Sequence, residues 1–227
     1  MLLEDLNWMD VERYLQDDDR IILVTGACEQ HGYLSLLSDV KEPMTIATLV
    51  AERENILVAP PINFGVSPYF RTYPGTVSIS VETLLRLARE IIESLYGQGF
   101  KRILILNGHG GNKLGETLVE LANANPGLKL DWINWWQLPE VNQVAAKYGL
   151  QPGHANWTEN FPFTRVCEVP TEIKPPAVLP AVADAPTTRA LLGDGSYCGA
   201  YRAPDEVMDE LLETVVRALQ ERLRALR

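Results

Sequence analysis

Two hydrophobic periods alternate along the chain. Unbroken aliphatic runs stand at Arg20-Ile21-Ile22-Leu23-Val24-Thr25, at Ile56-Leu57-Val58-Ala59 before Pro60-Pro61, at Arg102-Ile103-Leu104-Ile105-Leu106, and from Leu128 to Trp136. Runs of that length and β-branched content predict strands buried on both faces. Between them the apolar residues return at helical spacing. Met9, Val11 and Leu15 predict a helix over 8–16, and Met44, Ile46, Ala47, Leu49 and Val50 one over 39–54. Leu84, Leu87, Ala88, Ile91 and Leu95 form the clearest stripe, with Ser80 as its N-cap and Gly97 and Gly99 as stops. A further helix is predicted over 113–123, ended by Asn125-Pro126-Gly127. Strands alternating with helices predict an α/β fold with a mostly parallel sheet flanked by helices. Right-handed crossovers then place the carboxyl ends of the strands along one rim, where ligands bind in such sheets.

Beyond Gly149 the alternation stops. Six prolines recur between Pro162 and Pro186, and Gly193 to Gly199 reads as a turn-rich loop, so an irregular segment is expected over about 162–200. A last helix is predicted over about 204–227, with Pro204 in its first turn. No internal repeat is present, and residues 1–227 read as a single domain. The aromatic, turn-rich loop 64–76, which includes Tyr69, is the kind that lines a site.

Charge narrows the partners. The formal net charge is −10, which argues against nucleic acid or an anionic membrane surface. The N-terminus carries Glu4 and Asp5 where a secretory signal carries positive charge, and no apolar run reaches membrane-spanning length. Cys28, Cys167 and Cys198 are odd in number and lack a CxxC pair, so they read as reduced thiols. A cytoplasmic location is expected.

The three histidines all lie in Gly-rich or carboxylate-rich segments. Glu29 and His31, two apart after the first strand, leave the same face of an extended segment, and Asp39 follows after a short loop. His109 stands in Asn107-Gly108-His109-Gly110-Gly111-Asn112 at the end of the third strand. That loop lacks the GxGxxG spacing and the lysine of a phosphate cradle. His154 and Glu159 occupy a polar segment, His154-Ala155-Asn156-Trp157-Thr158-Glu159. Glu29, His31, Asp39, His109 and Glu159 together suit a pair of divalent metals, with Asp39 as the bridging carboxylate. His154 is either a further ligand or the general acid for a departing nitrogen. Gly110 and Gly111 offer free amides to substrate, and Trp157, between His154 and Glu159, is expected to wall the pocket along with Tyr69.

At these residues the chain resembles the creatininase (creatinine amidohydrolase) family. The motifs are Gly-x-x-Glu-Gln-His-Gly at 26–32, Pro-Gly-Thr at 74–76, Asn-Gly-His-Gly-Gly-Asn at 107–112 and His-Ala-x-x-x-Glu at 154–159. The resemblance implies a three-layer α/β/α fold, two divalent metals (zinc, manganese or iron) and a homo-oligomer, a hexamer in many members. By motif position it makes Glu29, His31, Asp39 and His109 metal ligands, Glu159 the remaining acid, and His154 the catalytic acid/base.

The chain also departs from the family pattern. The segment Gly32 to Ser38 is one residue shorter than usual and lacks a second His. Gly111 stands where creatininase proper has a metal-binding glutamate, and Asn156 and Trp157 replace a Gly-Glu pair. These departures point away from creatinine itself as substrate. The expected activity is metal-dependent hydrolysis of a cyclic or formamide-like C–N amide bond in a small molecule through a metal-activated water. The alternative is a metal- or metabolite-binding protein without turnover.

Overall fold

The structure, a computed structural model, describes residues 1–180 and 183–226. Four strands form one parallel sheet: β1 (Arg20–Thr25), β2 (Leu57–Val58), β3 (Arg102–Asn107) and β4 (Lys129–Asn134), in the order β2-β1-β3-β4. Among the described residues there are seven α-helices: α1 (Trp8–Asp17), α2 (Ser38–Glu54), α3 (Val81–Gln98), α4 (Gly115–Ala124), α5 (Pro139–Lys147), α6 (Ala185–Leu192) and α7 (Asp205–Ala225).

Side chains alternate across each strand, and the alternation builds two cores. Ile22, Val24, Leu104, Leu106 and Ile133 face one way, against Ile46 and Val50 of α2, Val141 of α5 and Leu211, Val215 and Leu219 of α7. Ile21, Leu23, Ile103 and Ile105 face the other way, against Leu84, Ala88 and Ile92 of α3 and Leu118 and Leu121 of α4, with Val11 and Leu15 of α1 at the margin. This is the α/β/α layering that the alternation of strands and helices and the family resemblance implied.

The differences from expectation have local causes. The second strand is only two residues long: its ladder on β1 covers Ile21 and Ile22, a single bridge to Leu2 lies on its other side, and Pro60 and Pro61 have no N–H to continue the ladder. The fourth strand ends at Asn134, where Trp135–Gln137 wind into a single 3-10 turn. Gly97 lies inside α3; Gly99 ends the helix with φ 116°. Two helices escape the hydrophobic pattern. α5 starts on Pro139, and α6 lies within the proline-rich segment, where Asp184 caps it by accepting from the Thr187 amide. That segment also holds a two-stranded antiparallel ribbon, β5 (Ile173–Lys174) and β6 (Gly199–Ala200). Ala181 and Val182, inside the expected irregular segment of about 162–200, and Arg227, the last residue of the expected helix over about 204–227, lie outside the described residues. Among the described residues, no helix is long and apolar enough to cross a membrane.

Candidate metal centre

Three of the strands end at one polar junction. Asn107, the last residue of β3, donates from its amide to the Asn134 side chain at the end of β4 and to the His109 carbonyl. It accepts from Thr25 at the end of β1, from the His109 amide and from Asn112. Asn112 also donates to the Gly26 carbonyl and accepts from the Val66 amide. These buried bonds hold the His109 loop on the sheet rim.

The first turn of α2 presses onto the same rim. Residue 43 is proline, so the Asp39 carbonyl has no helical N–H four residues on. That carbonyl packs over Gly26 and Gly108, and a Cβ at either position would collide with it. Two glycines thus let Asp39 reach the ends of β1 and β3 together.

Around Asp39 the predicted residues converge. His31 Nε2 lies 2.9 Å from Asp39 Oδ1 and 3.9 Å from Glu159 Oε2. His109 Nδ1 lies 2.9 Å from Asp39 Oδ2 and 3.4 Å from Glu29 Oε1. Each imidazole turns its other nitrogen outward to a carbonyl: His31 Nδ1 to Glu29 O at 3.1 Å, and His109 Nε2 to Val66 O at 3.0 Å. Those carbonyls place the protons outside and leave His31 Nε2 and His109 Nδ1 as inward lone pairs, the arrangement that orients metal-ligating histidines. Glu159 is fixed by the Ala155 amide, 2.5 Å from its Oε2, and Ala155 takes φ 54° to direct it there.

The electrostatics show a site short of positive charge. Burial would lower the His31 pKa, yet Asp39, Glu159 and Glu29 outweigh it and raise the value to about 10. His109 rises well above its ordinary value against the same penalty, through Glu29 and Asp39. Burial, with Asp39 and Glu29 adding to it, pushes Glu159 up to about 7 against the pull of His31. Asp39 is held below the usual carboxylate range despite its burial, by His31 and His109. Protons on the histidines thus take the place that a cation would fill. Buried Glu29 Oε2 and Asp39 Oδ2 also lack hydrogen-bond partners. Oδ2 is near His109 Nδ1 without hydrogen-bond geometry, and spacings of this order match the roughly 3.3 Å between ligands around a tetrahedral zinc. The donor set therefore fits a metal. It divides into Glu29-Asp39-His109 and His31-Asp39-Glu159, each within 4.8 Å internally, with Asp39 in both. A third group, Glu29-His31-His154, also meets that distance.

A cavity of about 270 Å³ opens over this cluster, walled by Tyr69, Phe70, Trp136, His154 and Tyr197, with Gly110 at its edge. His154 stacks on Phe70 at 4.9 Å and lies 4.6 Å from the His31 ring. Burial, with His31 and His109 adding to it, lowers the His154 pKa well below its ordinary value.

A family model described as creatininase, creatinine amidohydrolase, matches residues 4–223. The chain belongs to the creatininase family. It is 32% identical to creatinine amidohydrolase of Pseudomonas putida over 117 residues, 48% of this chain and 45% of the relative. It is 35% identical to the mycofactocin precursor peptide peptidase of Mycolicibacterium smegmatis over 99 residues, 40% of each. The matched stretch thus spans less than half of each of these curated relatives. In structure it resembles a mutant creatininase of Zn-Zn type with a TM-score of 0.84 and 26% identity, covering 99% of this chain and 97% of that one.

Against this creatininase fold, two expected substrate contacts need correction. Trp157 does not wall the pocket. It is fully buried in the core beside α7, with its Nε1 donating to the Gln151 carbonyl, because the turn Trp157–Glu159 directs Glu159 outward and Trp157 inward. Gly111 lies behind His109 against the Val66 carbonyl, where no side chain would fit, and of the two glycines Gly110 is the one at the cavity.

Trp136 takes the wall position, and register gives its signal. Asn107 pairs with Asn134, so Trp136 stands as far past β4 as His109 stands past β3. The hydrophobic pattern also hid Glu42, one turn after Asp39. It is fully buried, neither oxygen has a hydrogen-bond partner, and burial with Glu159 and Asp39 nearby raises its pKa well above the usual range.

Proposed function

We propose that this creatininase-family chain is a metal-dependent amidohydrolase that cleaves a C–N amide bond in a compact small molecule. The carrying observation is that the two oxygens of Asp39 face two different histidines, each with a further carboxylate. A bridging carboxylate is the central part of a two-metal hydrolytic site. Glu29 and His109 would hold one metal and His31 and Glu159 the other, with Asp39 shared. Zinc, manganese or iron bound there supplies Lewis acidity to the amide carbonyl and to water.

The chain's own residues do the rest. The Asn107 and Asn112 bonds and the outward carbonyls preorganise the ligands. The aromatic wall excludes water and stacks on a flat substrate, and Trp136 closes the side beyond β4. Among the described residues no Lys or Arg lines the cavity, so an anionic substrate has no cationic side chain to pair with. His154 faces the cluster from the opposite wall, where it can present a proton to the departing nitrogen. A volume of about 270 Å³ is at the small end for ligand pockets, which supports a cyclic amide or formamide over an extended peptide. The same reading takes the chain as a cytoplasmic homo-oligomer, hexameric by family resemblance, which native mass spectrometry would test.

The deciding experiment has two parts. Elemental analysis of protein purified without chelators should find two divalent metals per chain. A turnover screen over creatinine, formamides, hydantoin-like rings and lactams, with added Zn²⁺, Mn²⁺ or Fe²⁺, should find a hydrolysed amide. A fully loaded protein inert to the whole panel would leave the non-catalytic binding protein as the correct reading.

A further inference from the structure

His154 belongs by distance to a possible ligand group and by position to the proton-handling wall. Which it serves depends on where its proton sits, and the neighbouring Gln30 carries the answer. Gln30 is buried, 4% exposed. Its side-chain oxygen accepts from the Gly32 amide at 3.1 Å, which makes the other atom of the carboxamide the nitrogen. That nitrogen has two N–H groups. One donates to the Gly195 carbonyl at 3.1 Å; the other faces His154 Nε2 at 2.9 Å. A donor at that distance requires a lone pair on Nε2, so the neutral ring must carry its proton on Nδ1. Nδ1 is the nitrogen turned to the candidate metal centre, 4.0 Å from Glu29 Oε1.

We propose that Gln30 is a positioning residue that holds neutral His154 as its Nδ1–H tautomer, which keeps His154 out of the metal ligand set and presents an N–H donor to the substrate. A protonated nitrogen has no lone pair for a metal, so His154 is disqualified as a ligand while the carboxamide stays in place. The ring itself cannot swing away, since Phe70 stacks on one side and His31 stands at the other. The Gln30 backbone carbonyl, 3.2 Å from His154 Nε2, is the acceptor that would serve the opposite tautomer, and it lies farther from Nε2 than the carboxamide nitrogen does. Gly195 is part of the device, because a Cβ there would overlap the Gln30 carboxamide. The inference rests on the proposed hydrolytic reading only for the use made of the N–H; the tautomer is a property of the fold.

The test is long-range ¹H–¹⁵N correlation on zinc-loaded protein labelled at histidine, with the His154 signals assigned by their loss in His154→Gln. The chain has three histidines, so the spectrum is small. Nδ1 protonated and Nε2 bare is the expected result, and the reverse pattern overturns the proposal. In Gln30→Met the proton should move to Nε2, where the residue 30 carbonyl accepts it. Retention of the wild-type tautomer in a folded Gln30→Met protein also overturns it. If Gln30→Met does not fold, the near-isosteric Gln30→Glu replaces the donor by an acceptor and should reverse the tautomer; no reversal counts against the proposal. With a substrate in hand, Gln30→Met should lower kcat by roughly 10²-fold while KM changes little. The spectra need no turnover, so a chain that hydrolyses nothing still reports whether Gln30 sets the tautomer.

Discussion

Gly108 lies directly beneath the carbonyl of Asp39, closer than any side-chain-bearing residue could come. The contact joins the end of β3 to the first turn of α2, and it explains why a glycine precedes His109. Gly108→Ala forces a Cβ against the Asp39 backbone carbonyl, and neither side can yield by changing a rotamer. Overpacking of this kind costs about 1–3 kcal/mol, and here the relaxation would move Asp39 away from His31 and His109. The variant should melt at least ~2 °C lower and bind less metal. Wild-type metal content in Gly108→Ala would show that the helix start tolerates the shift.

Asp39 itself should be the most sensitive ligand. Each of its oxygens faces one ligand group, so Asp39→Ala is expected to lose both metals and nearly all activity. Loss of Glu159, which lies only in the group with His31 and Asp39, should spare one metal. Elemental analysis of the two variants side by side separates the cases. Two metals per chain in Asp39→Ala would contradict the bridge.

The fold was legible where the physics is periodic. β1 and β3 stand out because strands buried on both faces read as unbroken aliphatic runs, and α3 because one face of it packs on the sheet. α5 and α6 were not, since short helices with few buried residues leave little periodic trace and are announced mainly by Pro139, Asp184 and Pro186. The candidate metal cluster around Asp39 was legible because each of its side chains sits just past a strand or at a motif position. The cavity wall was not. Trp157 and Trp136 are the same residue type in similar company, and only the path of the backbone turn sends one to the core and the other to the rim. Gln30 was hidden for a related reason: its carboxamide acts on a histidine 124 positions away.

Ala155 carries backbone strain that bears on Glu159. At φ 54° an L-residue costs about 1–2 kcal/mol, and a β-branched side chain fits worse still. Ala155→Gly should therefore keep the amide on Glu159 with little change in stability. Ala155→Val should lower the melting temperature by roughly 2–8 °C and weaken the His31-side metal. Equal melting temperatures for the two variants would show that the left-handed conformation plays no part.

His154→Gln tests the proton role directly. Glutamine can still donate one hydrogen bond into the cavity but cannot hold a transferable proton. Turnover should fall by about 10²–10⁴-fold with metal content unchanged. A metal-depleted variant would make His154 a ligand and reverse the assignment.

Metal loading of this site must be a proton exchange. In the metal-free protein the carboxylates hold His31 protonated up to about 10, and His109 is raised in the same direction. A metal takes the neutral imidazole, so loading at neutral pH expels protons, and affinity should rise with pH until those histidines have titrated. Stability follows from the same shift. A group whose folded pKa lies above its unfolded value stabilises the fold fully below the unfolded value, near 6.5 for His31, and that contribution disappears as pH rises through about 10. The metal-free protein should therefore melt at progressively lower temperature across that interval. The zinc-loaded protein, whose positive charge does not titrate away, should not. Scanning calorimetry of chelated and loaded protein across the interval gives one readout, and titration of zinc in two buffers of different ionisation heat counts the protons released. A flat metal-free profile together with no proton release would mean that the histidines are already neutral, and that the charge deficit inferred around Asp39 is met in another way.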